Sequence, residues 1–325
     1  MRLDLVSLFD MTSAPPRLAS KGRALVLAFG ITGVCLLTGC GASLSRLGIG
    51  SGKILAVGAE SQYANVIAQI GGSYVHVDAV ESNPNIDPHD FEASPTIAQE
   101  VATARLVVQN GLGYDSYMEK IEAASPSSSR KVIDVQRLLH LPGSTRNPHL
   151  WYKPQTMPAL GRRLVVELSA IQPSHAAYFQ ANDQRFERSL QPWLAGLRQF
   201  RGAHPHVPVA TTEPVADYML EAAGVDNRTP FSLQAAIMNG TDPSPQSVTI
   251  QRRLLSRDEV DAFVYNQQVT DPLTESFIKL AERSGVPVVG VYETMPRGYD
   301  YQSWMLAELE ALQRAVTERV STRRL

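Results

Sequence analysis

The chain has 325 residues, 44% of them hydrophobic, and its 30 Lys and Arg against 32 Asp and Glu give a formal net charge of −2. Length and apolar content suit a two-lobed globular protein with an ordinary core and exclude a low-complexity chain. The basic residues are dispersed, which argues against a nucleic-acid partner, because a polyanion requires a concentrated basic face.

Arg17, Lys21 and Arg23 precede an uncharged apolar run from Ala24 to Leu37, and Thr38-Gly39-Cys40 follows it. The run is shorter than the roughly 20 residues that cross a bilayer, and small residues with a cysteine stand where a charged stop would be. Residues 1–39 read as a lipoprotein signal peptide, with Met1 or Met11 as initiator. Leu37-Thr38-Gly39-Cys40 matches a lipobox, so Cys40 is the expected lipidation site and residues 40–52 the lipidated tether. The plainer reading is a secretory signal with an incidental cysteine. Cys35 leaves with the signal and Cys40 is acylated, so no thiol remains to pair and stability must come from the core. These features place the protein outside the cytoplasm, anchored to the outer face of the cell membrane.

Short β-rich runs then alternate with helical patterns. Lys53–Gly58 reads as a strand, Tyr63–Ile70 as a helix and Tyr74–Val80 as a strand, a βαβ rhythm. It continues with a helix over Ser94–Ala104, a strand Leu106–Gln109, a helix Ser116–Ala124 and a strand Lys131–Val135. A first α/β lobe is expected over residues 53–165. A second, over residues 206–325, has a strand Val207–Thr211, a helix from Pro214, a strand Ala262–Tyr265, a helix Pro272–Ser284, a strand Val286–Val291 and a last helix from Tyr301. Between them, in residues 166–205, Pro173–Arg201 reads as one long rigid helix of about 40 Å at 1.5 Å per residue, with Pro192 as its weak point. The fold class is therefore α/β, two lobes of one class joined by a helical strut.

Ligands of open α/β sheets bind where strands end, so His, Cys, Asp and Glu at those ends are the candidates for a metal site. Four residues qualify. His89 lies in Asp87-Pro88-His89-Asp90 after the second strand, and His149 in Asn147-Pro148-His149-Leu150-Trp151 after the strand ending at Val135. Glu213 follows the strand through Thr211, and Glu293 follows the strand through Val291. Each Pro-His pair sets its imidazole in a fixed, non-strand geometry, so little entropy is lost on binding. Taken singly, a loop His is more often a turn residue, and a Glu before a helix more often a partner of the helix dipole. Four protein ligands across a cleft form a complete set without water, which suits a carrier better than a catalyst. His76, His140, His175, His204 and His206 read as structural or solvated.

Asp87-Pro88-His89-Asp90-Phe91-Glu92-Ala93-Ser94-Pro95 and Asn147-Pro148-His149-Leu150-Trp151 resemble the two ligand motifs of the solute-binding lipoproteins of zinc, manganese and iron ABC importers, the cluster A-I type. Weaker likenesses run through Asn110-Gly111-Leu112, Thr212-Glu213-Pro214-Val215, Tyr265-Asn266-Gln267-Gln268 and Glu293-Thr294-Met295-Pro296. The resemblance implies two α/β lobes joined by one rigid long helix, with the metal in the cleft. It also implies His89 and His149 as imidazole ligands, Glu213 where members have His or Glu, and Glu293 where many have Asp. Asp271 is the rival for the fourth position.

The cargo implied is one divalent transition metal, Mn2+ or Zn2+, or Fe2+; two imidazoles with two carboxylates favour manganese slightly, with zinc close behind. The partners implied are an ABC permease and the membrane, and the chain itself is expected to be a monomer. Two other classes compete. One is a metal-dependent hydrolase with Glu213 as base, for which no H-E-x-x-H, nucleophile-elbow serine or P-loop is present. The other is a surface adhesin with a structural metal.

Overall fold

The computed structural model describes residues 52–85, 88, 91 and 93–325; the signal peptide, Cys40 and His89 lie outside the described residues. The first half runs β1 (Ile54–Glu60), α1 (Ser61–Gly71), β2 (Val75–Glu81), α2 (Pro95–Thr103), β3 (Leu106–Gln109), α3 (Ser116–Ala124), β4 (Lys131–Asp134), α4 (Val135–Leu138) and α5 (Thr156–Ile171). Next come α6 (Ala176–Ser189) and α7 (Gln191–Ala203). The second half runs β5 (Pro208–Thr211), α8 (Asp217–Ala222), β6 (Asp226–Asn227), α9 (Phe231–Met238), α10 (Pro245–Ser256), β7 (Ala262–Asn266), α11 (Pro272–Arg283), β8 (Val288–Val291) and α12 (Tyr301–Glu318). Side chains cap several of these helices, with Ser94, Asp134, Ser244, Asp271 and Asp300 accepting from backbone N–H groups at the starts of α2, α4, α10, α11 and α12.

Each half holds a four-stranded parallel sheet, ordered β2-β1-β3-β4 and β6-β5-β7-β8. The two orders are the same, and the connection direction reverses between β1 and β3 and between β5 and β7. Crevices at those reversals, outside the carboxyl ends of the strands, are where such sheets bind ligands. The central strands β1, β3 and β7 are apolar and buried over most of their length, as parallel strands covered on both faces must be, and turn polar at their carboxyl ends with Glu60, Gln109 and Asn266. The edge strand β8 is bridged by the C-terminal segment, with Val289 beside Thr322.

The segment expected as one long helix is divided. It opens with a 3₁₀ turn at Pro173–His175, and α6 gives way to α7 at Leu190, whose backbone stays right-handed helical (φ −77°, ψ −16°). Pro192 is the cause: it has no N–H to give the carbonyl of Arg188, and its ring crowds that carbonyl. The strut is thus two helices in series. In the first half α6 packs on α1 and α5, and in the second α7 packs on α12 and α8. One apolar core runs through both halves, from Ile67 and Trp151 through Phe186 and Trp193 to Trp304 and Leu309.

Gly58 of β1 approaches α1 so closely that a Cβ there would sit 2.4 Å from the backbone nitrogen of Ala64. Gly58→Ala should destabilise the protein by about 3 kcal/mol, the upper end for overpacking a core. Equilibrium urea unfolding measures this; a loss under about 0.5 kcal/mol, the scale of a surface change, would mean that the strand and helix separate freely.

Candidate metal centre

His149 sits in the loop between α4 and a 3₁₀ turn at Leu150–Tyr152 and is fully buried. Asn147 sets its orientation. The Asn147 Nδ2 donates to the Pro214 carbonyl at 2.7 Å, which fixes the amide so that Oδ1 faces the ring. That oxygen lies 2.7 Å from His149 Nδ1 and also accepts the His149 backbone N–H at 3.0 Å. An amide oxygen can only accept, so Nδ1 carries the proton and Nε2 is the atom turned towards the cleft. Both halves hold the loop: Asn110 Nδ2 donates to the Pro148 carbonyl at 2.9 Å, and Tyr218 Oη donates to the Asn147 carbonyl at 3.0 Å.

Glu293, placed by the end of β8, meets that imidazole, its Oε2 lying 3.1 Å from His149 Nε2 with both side chains fully buried. Tyr114 Oη donates to the same oxygen at 2.8 Å, and Asn266 Nδ2 donates to Oε1 at 2.6 Å. The Glu293 backbone is held as well, its N–H donating to Gln268 Oε1 at 2.7 Å and its carbonyl accepting from Gln62 Nε2 at 3.2 Å. Asp271, the rival, is exposed and N-caps α11, its Oδ1 accepting from Thr274 N at 2.6 Å. Of the two, Glu293 is the one whose carboxylate meets His149.

Glu213 is buried directly after β5, beside the reversal between β5 and β7. Thr212 N–H donates to the Val264 carbonyl and Thr212 Oγ1 accepts from Asn266 N–H, each at 3.0 Å, so the turn carrying Glu213 is pinned to β7. Its other neighbour, Pro214, is the residue tied to Asn147. His89 lies outside the described residues, and among the described residues no group of three His, Cys, Asp or Glu side chains is gathered as a metal-holding cluster. What the described structure brings together is the pair His149 and Glu293, with Glu213 on the adjoining strand end.

Three carboxyls escaped the sequence reading. Glu60 and Glu81 end β1 and β2 as register partners, and Asp115 follows β3. Burial, with the charges of Asp115 and Glu81 behind it, raises the Glu60 carboxyl well above its usual range, and neither of its oxygens has a hydrogen-bond partner among the described residues. Burial also pushes Glu81 up to about 7; its oxygens accept from Thr294 Oγ1 at 2.8 Å, and the Glu293 charge adds to the rise. Asp115, pushed up to about 6 by burial, accepts the Asn110 and Gly111 N–H groups at 2.5 and 3.0 Å. Buried acids crowded at strand ends favour a cation. The strand-end rule that picked Glu213 and Glu293 would have picked Glu60 and Glu81 had it been applied to every carboxylate.

The remaining histidines serve elsewhere. His76 lies 3.5 Å from Asp78, His175 stacks on Tyr74 with centroids 3.6 Å apart, and His140, His204 and His206 are exposed or half-buried.

Two matching parallel sheets with ligand-type residues at facing strand ends define a two-lobed α/β fold. The model of the family described as "Zinc-uptake complex component A periplasmic" matches residues 57–315, and the chain belongs to that family. It is 28% identical over 162 residues to the manganese-binding lipoprotein MntA of Bacillus subtilis, covering 48% of this chain and 52% of that one. The chain thus spans about half the length of this relative. It is 18% identical to the manganese ABC transporter substrate-binding lipoprotein PsaA of Streptococcus pneumoniae over 80% of this chain and 88% of that one. Among solved structures, the binding protein FpvC of Pseudomonas aeruginosa in complex with Mn2+ superposes with a TM-score of 0.68 at 21% identity, over 82% of this chain and all of that one, a likeness of fold.

Proposed function

We propose that this protein captures one divalent transition-metal ion outside the cytoplasm and passes it to the permease of an ABC importer, with the ion as cargo. The observation that carries the reading is the meeting of His149 Nε2 and Glu293 Oε2 at 3.1 Å, buried, from opposite halves of the fold. Two donors sharing an ion at roughly 2.1 Å each stand about 3 Å apart when the angle between them is near 90°. The pair is therefore spaced for a common ion, with a proton on Nε2 bridging it otherwise. Asn147, Tyr114 and Asn266 orient the two ligands in advance, as outer partners of metal ligands do. His89 and Glu213 complete the set in this reading.

A site filled by four protein ligands retains its ion until the site opens, which suits delivery rather than turnover. The family, an uptake component, supports transport over catalysis, and no adhesive partner surface is part of the reading. Two imidazoles and two carboxylates lean towards manganese, as the names of MntA and PsaA do, while the family description points to zinc. Zinc outranks manganese at most fixed ligand sets, so the native cargo is named by elemental analysis of protein purified from its own host, not by affinity in vitro.

In calorimetric titration with Mn2+ and Zn2+, Glu293→Ala and His149→Ala should each lose at least about 100-fold in affinity. Asp271→Ala should keep its affinity and lose about 1 kcal/mol of stability, the cost of an N-cap. Unchanged affinity in Glu293→Ala together with its loss in Asp271→Ala would reverse the assignment.

Lipid on Cys40 would hold the protein at the outer face of the cell membrane, as a monomer tethered by residues 41–52. Cys40→Ala should move the protein from the detergent phase to the aqueous phase on fractionation. Unchanged partitioning of that variant would remove the anchor from the account.

A further inference from the structure

Glu308 of α12 is fully buried, lies outside the ligand set and is engaged on both oxygens. Its Oε1 accepts from the Trp304 indole Nε1 at 2.6 Å and from the Tyr292 backbone N–H at 3.2 Å. Its Oε2 lies 2.7 Å from the hydroxyl oxygen of Tyr152. That hydroxyl oxygen lies equally close, at 2.7 Å, to the Tyr292 carbonyl oxygen. Oxygens at this separation are hydrogen-bonded, each contact holding one proton. Tyr152 has one hydroxyl proton for the two contacts, and a carbonyl has none to give.

We propose that Glu308 is a neutral acid whose Oε2–H donates to the Tyr152 hydroxyl oxygen, leaving the Tyr152 proton for the Tyr292 carbonyl. The second proton makes both contacts into hydrogen bonds. Without it, two lone-pair-bearing oxygens would face each other at 2.7 Å in a dry interior.

The position gives the proton its consequence. Tyr152 ends the turn that begins just after His149, and Tyr292 directly precedes Glu293. The chain Glu308–Tyr152–Tyr292 therefore clamps the two loops whose side chains meet at 3.1 Å, and Glu308 is a positioning residue for the site. The surroundings favour the neutral form. Burial pushes the carboxyl up to about 8, against the lowering effect of the Tyr152, Trp304 and Tyr292 hydrogen bonds. The titratable groups that face it are the phenols of Tyr152, Tyr292 and Tyr301, all raised, first of all by burial.

The sign of the pH dependence follows. The folded carboxyl binds its proton more tightly than the unfolded one, so its contribution is full below the ordinary carboxyl range, is lost as pH rises towards about 8, and is level above. Glu308→Gln replaces the acid O–H by an amide N–H, keeps an acceptor for Trp304 and Tyr292, and cannot titrate in this range.

Three readouts test this. Infrared difference spectra of protein with 13C-labelled glutamate at pH 6.5 should show a protonated-acid carbonyl component, beside those of Glu60 and Glu81, that is present in wild type and missing in Glu308→Gln; acid bands of equal intensity in the two proteins overturn the proposal. In urea unfolding from pH 5 to 9, the stability of Glu308→Gln relative to wild type should rise until about pH 8 and then level off. A difference that does not change with pH overturns it. At pH 7, Glu308→Leu should lose about 10- to 100-fold in Mn2+ affinity, the range for outer partners of metal ligands, and Glu308→Gln should recover most of it. Equal affinities in the two variants would remove the positioning role. The metal readout rests on His149 and Glu293 being ligands, whereas the infrared and unfolding readouts do not. A wild type that binds none of Mn2+, Zn2+ and Fe2+ but shows the acid component that Glu308→Gln removes would sink the proposed function and leave the Glu308 proton standing.

Discussion

The contact between His149 and Glu293 is the constraint on which the rest of the arrangement depends. A buried imidazole and a buried carboxylate from different halves of the chain face each other at 3.1 Å, and burial of either alone would be costly. The surrounding polar groups keep the pair in place. Asn147 turns Nε2 inwards, while Tyr114 and Asn266 occupy the outer lone pairs of Glu293. Glu60, Glu81 and Asp115 add buried acids at the neighbouring strand ends, each raised first of all by burial, and a cation beside them would favour their charged forms.

Such a contact holds only if the two halves keep their relative position, and several features secure that. The apolar core is continuous from α1 through α5, α6 and α7 to α12. Polar bonds reinforce it: Tyr301 Oη donates to the Trp151 carbonyl at 2.6 Å, and Tyr301 N–H donates to Asn65 Oδ1 at 3.1 Å. The kink at Pro192 does not loosen the strut, because Phe186, Leu190 and Trp193 on either side of it are buried in that same core. A close-packed core resists continuous deformation, which favours a fixed relation between the halves over a soft hinge.

Much of this was legible in the sequence because apolar runs and punctuation carry local information. Leu106–Gln109 and Ser116–Ala124 are found where the periodicity puts them, and Pro192 marks the end of one helix and the start of the next. The helix α5 went unread because Pro158 lies within it, and a proline in the first turn of a helix is easily taken for a break. The strand β6 is two residues long, Asp226–Asn227, and carries no hydrophobic pattern at all. Pro214 also misled: the residues after it form a turn, and α8 begins at Asp217. At the site, the Pro-His dipeptide and the carboxylate after a strand singled out His149 and Glu293 as separate candidates. The distance between them could not be read, since 144 residues separate them in the chain. Glu308 was invisible for a different reason. On a helix that shows an ordinary amphipathic face, a single acid among apolar neighbours looks solvated until Tyr152 and Tyr292 are seen to close over it.

The most direct test of the central claim is anomalous diffraction at the manganese edge from crystals of the Mn2+-loaded protein. One strong peak is expected within bonding distance of both His149 Nε2 and a Glu293 carboxylate oxygen, with the two halves of the chain otherwise superposable on the metal-free form. A peak elsewhere, with the His149–Glu293 contact still closed on itself, would contradict it.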